Sequence, residues 1–242
     1  MKIIADMHCH TTASTHAYSS VMENVYAAKK AGLYALAITD HAENMPSAPG
    51  TWYFHNLKVI PRNIDGIYVL RGIEANILNS NGDIDLPLDL QVPLDWVVAS
   101  IHGVAFEGNH DMDDCTQTWL NIAKNPYVNV IGHSGLPDFK YDYEKVIPEF
   151  GKNGKLVEIN NSSFKIRQSS AENCKQIALA CKKYGVNIIV NSDSHFCTQI
   201  GHFDNALKML EEIDFPEELI INADINRFNS YLEKYTPFFK VQ

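Results

Sequence analysis

The 242-residue chain lacks any apolar run long enough to span a bilayer, so a membrane-embedded protein is not expected. It also lacks a basic excess: 20 Lys and Arg stand against 29 Asp and Glu, a formal net charge of −9. A duplex nucleic-acid binder needs a basic footprint to displace counterions, so nucleic acid is not expected as a partner. A small anionic substrate is compatible with that balance, because bound dications add local positive charge that the count omits. Cysteine is sparse and odd in number: Cys9, Cys115, Cys174, Cys181 and Cys197, with no CxxC spacing. Free thiols in a reducing cytosol fit that usage, and Cys174 and Cys181, a heptad apart, suit a helix core. There is no internal repeat, low-complexity tract or linker, and one domain over 1–242 is expected. The opening MKIIADMHCH ends its short apolar run in chemistry-bearing residues, which speaks against a cleaved signal peptide. Homo-oligomerisation is left open.

What the chain has in quantity is histidine at particular places. Seven apolar runs read as buried parallel strands: 2–7, 33–39, 67–73, 94–101, 128–132, 155–159 and 186–191. Helical patterns separate several of them. Ser20 with Glu23 makes a capping-box signal ahead of VYAAKKAG, and Ser169 with Glu172 repeats it before NCKQIALACKKYG, with Gly185 as the stop. Asp113 or Asp114 is expected to cap CTQTWLNIAKN, and NALKMLEEI and 224–235 to pack outside the sheet. Residues 42–66 read as a loop, and 76–93 as a small hairpin about Asn81-Gly82.

At or just beyond the ends of the runs stand His8, His10, His16, His41, Glu74, His102, His133, Asp193 and His195. Parallel α/β folds place ligands at the carboxyl ends of their strands. Because the first and last strands both contribute, a closed or nearly closed barrel is favoured over an open sheet. In a strand, residues two apart share a face, so His8 and His10 present paired imidazoles, with Asp6 one step deeper as an orienting group and Cys9 facing away. A single HxH is weak, but Asp193-Ser194-His195 repeats the geometry at the other end of the chain, and the remaining ligand types each mark a strand end. Nine candidates are too many for one ion, so two or three are expected, with Glu74 as bridging carboxylate. Seven imidazoles, two carboxylates and no thiolate suit Zn(II), with Mn(II) or Fe(II) as alternatives.

The ordered set HxH, TDH, GIE, SIH, GH and SDSH resembles the polymerase-and-histidinol-phosphatase (PHP) superfamily over essentially the whole chain. ASTHAYS and EINNSS resemble most its small bacterial YcdX-type phosphatases. The resemblance implies a distorted seven-stranded (β/α) barrel, TIM-barrel-like, with a trinuclear site and phosphoesterase activity. It assigns His8, His10, Glu74 and Asp193 to one metal, Glu74, His102 and His133 to a second, and His16, His41 and His195 to a third. The expected chemistry is hydrolysis of a small phosphate monoester by a hydroxide bridging two ions, with histidinol phosphatase, a nuclease and a non-catalytic metal binder as alternatives. Asp193, Glu74 and His202 are the catalytic candidates, His202 as proton donor or phosphate contact. Asn160, Ser163 and Arg167 are candidate phosphate contacts, against the plainer reading of an Asn/Ser turn. His55 and His110 fit no strand end: His55 is read as a solvated loop histidine, with lining of the site mouth as the alternative, and His110 as either a substrate contact or a residue without a role.

Overall fold

The computed structural model describes residues 1–91, 94–165 and 168–239, so Arg167 lies outside the described residues. Its strands are β1 (Ala5–Cys9), β2 (Ala35–Ile38), β3 (Asn63–Ile64), β4 (Ile67–Asn76), β5 (Trp96–Ser100), β6 (Val130–Ile131), β7 (Leu156–Asn160) and β8 (Ile188–Asn191). Seven run parallel in the order β1-β2-β4-β5-β6-β7-β8, one from each predicted run, and β3 pairs antiparallel with β4. The helices are α1 (Val21–Lys30), α2 (Thr51–Asn56), α3 (Leu88–Gln91), α4 (Met112–Ala123), α5 (Tyr143–Lys152), α6 (Ala171–Tyr184), α7 (Asp204–Glu212) and α8 (Ile225–Tyr235).

The sheet curls until β1 meets β8. No continuous ladder joins them; an isolated parallel bridge pairs Cys9 with Ser194 at the carboxyl end. Deeper in the seam the buried amide of Asn222 replaces backbone pairing: Nδ2 donates to Ala5 O (2.8 Å) and Val190 O (2.7 Å), and Oδ1 accepts from Val190 N (3.1 Å). The result is a distorted, nearly closed seven-stranded barrel, as expected.

Strand alternation sorts the core into two layers. Leu36, Ile38, Ile73, Val97, Ile131, Val157 and Val190 face outward and pack beneath the helices. Met7, Ala37, Leu70, Trp96, Val98, Val130, Leu156 and Ile189 fill the interior. Trp96 is fully buried there and donates from Nε1 to Met7 O (3.0 Å).

Several local expectations are corrected. The Ser20–Glu23 box forms, but Asp111 rather than Asp113 or Asp114 caps α4, accepting from Asp114 N (2.9 Å). Ser169 and Glu172 form no box: a 3-10 turn over Gln168–Ser170 leaves the N-cap, Ser170, in helical rather than extended backbone, and Glu172 accepts from Gln176 instead. Gly185 does close α6, with φ 65°. The 42–66 segment is not all loop, since it holds α2, a 3-10 turn and β3. Ile77 and Ile84 pair antiparallel across the Asn81-Gly82 turn, as the hairpin reading required. α8 does not lie outside the barrel: Phe228, Tyr231 and Leu232 join the interior cluster beside Ile4, Tyr34 and Tyr68, closing the amino-terminal mouth.

Candidate metal centre

The register of β1 against β2 shifts between Asp6 and Cys9. A bulge of this kind swaps the face of every residue after it. Ala5 and Met7 join the apolar interior by ordinary alternation, and past the irregularity His8 and His10 turn inward as well. Asp6, expected on the face of His8, instead accepts from Ser192 N (3.0 Å) and Gly201 N (3.1 Å), so it holds the β8 turn and orients no imidazole.

Glu74 stands at the centre. It is fully buried on β4 and five imidazoles surround its carboxylate. Oε1 lies 3.4 Å from His8 Nε2, 3.5 Å from His102 Nε2 and 2.9 Å from His133 Nε2. Oε2 lies 3.5 Å from His10 Nε2 and 2.8 Å from His41 Nδ1. Asp193 Oδ1 closes on His10 Nε2 (3.2 Å) and His8 Nε2 (3.6 Å). His16 Nε2 meets His41 Nε2 at 3.2 Å, and the His195 ring stands 4.7 Å from that of His16. All nine predicted residues thus gather in one contiguous cluster.

The neighbours of the imidazoles decide which nitrogens face inward. His102 Nδ1 donates to Asn76 Oδ1 (2.7 Å), whose amide is fixed because Nδ2 donates to Asp85 (2.6 Å). Ser100 Oγ donates to Glu74 Oε1 (2.7 Å). Asp40 accepts from Thr11 N (2.7 Å), Thr11 Oγ1 (2.7 Å), Ser14 Oγ (2.7 Å) and Tyr53 Oη (2.6 Å), and so shapes the loop that carries His16. Partners that orient a ligating imidazole through its other nitrogen are the usual complement of a metal site.

Whether the residues fit a cation can be judged from what the protein leaves unsatisfied. His8 Nε2, His10 Nε2, His41 Nδ1 and Glu74 Oε2 are buried without a hydrogen-bond partner. The 2.8 Å contact between His41 Nδ1 and Glu74 Oε2 is misaligned for a hydrogen bond. Native interiors rarely orphan several polar atoms in one place. Converging nitrogen and oxygen lone pairs fit divalent ions, and His10-His41-His195, His8-His10-Asp193 and His41-Glu74-His102 each bring their ligand atoms within 4.8 Å. The electrostatics agree. Burial alone would raise the Glu74 carboxyl, but His8, His41, His102 and the hydrogen bond with His133 hold it well below the usual carboxylate range. Burial, with His41 and His195 alongside, pushes His10 far down, so it is neutral at pH 7, the form that binds metal. Burial opposes charge on His8, yet Glu158, Glu74 and Asp193 raise it well above an ordinary imidazole. The carboxylates that favour a proton there would equally favour a cation.

Comparison with known proteins extends this reading. The PHP domain model matches residues 6–240. The chain belongs to the PHP domain family. A probable phosphatase of Caldanaerobacter subterraneus subsp. tengcongensis is 43% identical over 235 residues, 97% of this PHP chain and 92% of the relative. A probable phosphatase of Clostridium botulinum is 45% identical over 233 residues, covering 96% of each. Among solved structures, histidinol phosphate phosphatase of Lactococcus lactis, complexed with zinc, L-histidinol and phosphate, aligns with TM-score 0.61 at 15% identity, over 89% of this chain and 95% of that one. At that identity the likeness concerns the fold.

The other expected site residues of the PHP chain are placed as follows. Asn160 is fully buried, and its Nδ2 donates to Glu158 (3.1 Å) and Asp193 (3.1 Å), so both amide hydrogens expected to meet phosphate are committed inside the protein. Ser163 is buried with an orphaned hydroxyl. Ser162 Oγ donates to Ser192 O (2.8 Å) and Asn161 Oδ1 accepts from Asn205 N (3.0 Å), so EINNSS behaves largely as the plainer turn reading required. His202 is exposed and pairs with Asp204 at 4.0 Å, on a groove wall with Met22, Tyr26 and Ile200 rather than with a cluster imidazole. His55 pairs with Asp89 at the surface (3.2 Å), and His110 packs on Phe139. Sequence reasoning missed Asp40, Asn76, Ser100 and, above all, Glu158. The available signal was an acidic residue at an inward position of a strand buried on both faces.

Proposed function

We propose that this PHP-family chain is a metal-dependent phosphatase that hydrolyses a small phosphate monoester at a site for three divalent ions. Zinc is the ion that the nitrogen-rich donor set suits best, ahead of manganese or iron(II). The observation that carries the reading is the buried Glu74 carboxylate within 3.5 Å of five imidazoles. His8, His10, Glu74 and Asp193 would hold one ion, Glu74, His102 and His133 a second, and His16, His41 and His195 a third.

Bound divalent ions supply Lewis acidity, lowering the pKa of an attacking water and offsetting charge on phosphoryl oxygens. The chain's own residues do the rest. Glu74 offers both oxygens to opposite sides of the cluster, which suits a bridge. Asp193 Oδ1 faces His8 and His10 while its other oxygen is anchored by Asn160; Oδ1 can serve either as an ion ligand or as a proton carrier, and the ligand role is the one proposed. His16 is exposed and His102 and His195 are partly buried, so substrate arrives from their side, and the deep burial of the others excludes bulk water from the reacting centre. The acidic balance of −9 disfavours a polyanionic chain as substrate and supports a small ester. Helical spans long and apolar enough to cross a membrane are absent among the described residues.

The test is release of inorganic phosphate by metal-replete protein from a panel of mono- and diesters. Turnover of one or more small monoesters, with diesters poor, is expected. No release from any monoester at full metal occupancy would overturn the proposal.

A further inference from the structure

β7 is the strand in the second half of the barrel whose end carries none of the nine cluster residues, yet Glu158 on it reaches the His8 ring and the His133 backbone directly and Asp193 through Asn160. Its side chain is fully buried. Oε1 lies 2.7 Å from His8 Nδ1 and accepts from Asn191 Nδ2 (2.8 Å). Oε2 accepts from His133 N (2.8 Å) and Asn160 Nδ2 (3.1 Å). A carboxylate has about four lone-pair sites. All four are filled by protein donors, so Glu158 has nothing left to offer an ion or a substrate.

Three of the four donors lead to a ligand, and the fourth, Asn191, accepts from Met7 N at its own oxygen (3.0 Å). His8 Nδ1–H must point at Glu158, which leaves Nε2 as the nitrogen facing Glu74 and Asp193. His133 carries φ 23°, a conformation that L-residues rarely adopt, and its backbone N–H is the one Glu158 holds. Asp193 is likewise at positive φ, 55°, and Asn160 ties its Oδ2 to the same Glu158 oxygen. Strained ligand backbones persist where surroundings over-determine them, and here one carboxylate holds both ends.

We propose that Glu158 is a positioning residue that sets the tautomer of His8 and locks His133 and Asp193, and so tunes two of the three ion sites while leaving the His16-His41-His195 site alone. This rests on the metal-dependent reading above.

Zinc titration against a chromophoric chelator, on wild type and Glu158→Gln, provides the test. The glutamine can accept at one oxygen but presents N–H groups to the other pair of donors. Two of the three zinc equivalents are expected to weaken about ten- to a hundredfold, the range for loss of an orienting partner, with the third within about twofold. Asn160→Ala, which releases Asp193 but leaves Glu158 its hold on His8 and His133 N, should weaken one equivalent by less. Wild-type affinities for all three ions in Glu158→Gln would overturn the proposal, as would equal weakening of all three in a variant that stays folded. Should the variant fail to fold, histidine 15N spectra of zinc-loaded wild type still decide: His8 must be protonated at Nδ1 and not at Nε2, and the opposite tautomer refutes the role. These readouts follow ions rather than turnover. An inactive protein showing the selective loss would sink the phosphatase reading alone; an active one with unaltered zinc binding in Glu158→Gln would sink this one alone.

Discussion

At the amino ends of the strands, Leu70, Trp96, Leu156 and Ile189 meet Phe228 and Leu232 of α8, and the indole of Trp96 is satisfied by Met7 O. At the carboxyl ends of the same strands, a few residues further on, His8, His10, His41, Glu74, His133 and Asp193 are buried with lone pairs directed at one another. The lower half of the barrel is thus complete on its own, whereas the upper half leaves buried lone pairs of a kind that divalent cations would satisfy. Fold and chemistry are separable along the barrel axis, and substitutions in the two halves should fail in different ways.

The largest effect on stability is expected below. Trp96→Ala removes the biggest interior side chain and leaves Met7 O without its donor. Denaturant melts should show a loss of about 3–5 kcal/mol, as for other buried aromatics, with turnover per folded molecule little changed. If activity per folded molecule collapses instead, the halves are coupled more tightly than the packing implies. The upper half should behave in reverse. Glu74→Gln keeps the shape but removes the charge that faces five imidazoles, and kcat/KM should fall by at least about a hundredfold, roughly 2.7 kcal/mol of transition-state stabilisation. Metal analysis of the same variant should show fewer ions per chain. Unchanged occupancy and rate would remove Glu74 from the centre of the site.

The contrast sharpens at Lys155, which introduces charge into the lower half. It is buried, donates to Val128 O (2.7 Å) and to Asn125 O, and no carboxylate pairs with it among the described residues. Burial pushes its ammonium down to about 8, against 10.5 for an ordinary lysine. A lysine depressed in the folded state is protonated more fully in the unfolded chain between those values, so stability should rise with pH across that window. From pH 7 to 10 the gain is about 2 kcal/mol, and Lys155→Met should abolish the rise. Equal pH slopes in the two proteins would show that the charge is solvated after all.

How much of this was legible beforehand follows the same division. The ligands announce themselves because an imidazole at the end of an apolar run has few other uses, and they alone implied a closed barrel. Interior orientation was harder. Asp6 reads as sharing a face with His8 by simple alternation, but the β1 bulge breaks the count and no local signal marks it. Glu158 lies within KLVEIN, where one acidic residue among apolar ones looks incidental until the strand is known to be buried on both faces. α5 escaped because Pro148 and Gly151 interrupt its pattern, although its outer turns carry Val146, Ile147 and Phe150 into the core. α8 shows an amphipathic face, but amphipathicity does not say whether the buried face meets the barrel wall or its mouth.

The smallest expected effect tests whether the 42–66 insertion belongs to the upper half at all. Tyr53 is the insertion's reach into the site: its hydroxyl donates to Asp40 Oδ2 (2.6 Å), and Asp40 in turn holds Thr11 and Ser14 before His16. Burial, with Asp40 beside it, raises the Tyr53 hydroxyl well above its ordinary value, so it remains a donor throughout the working pH range. Tyr53→Phe deletes one of the donors around Asp40 and leaves the others, so a cost of about 1 kcal/mol is expected in thermal melts. Because His16 sits at the exposed edge of the cluster, slackening its loop should loosen one ion and slow turnover only a few-fold. A melt unchanged from wild type would mean that the insertion rides on the barrel without bracing it. A loss of activity as deep as that of Glu74→Gln would place the His16 loop, rather than the Glu74 carboxylate, at the centre of the upper half.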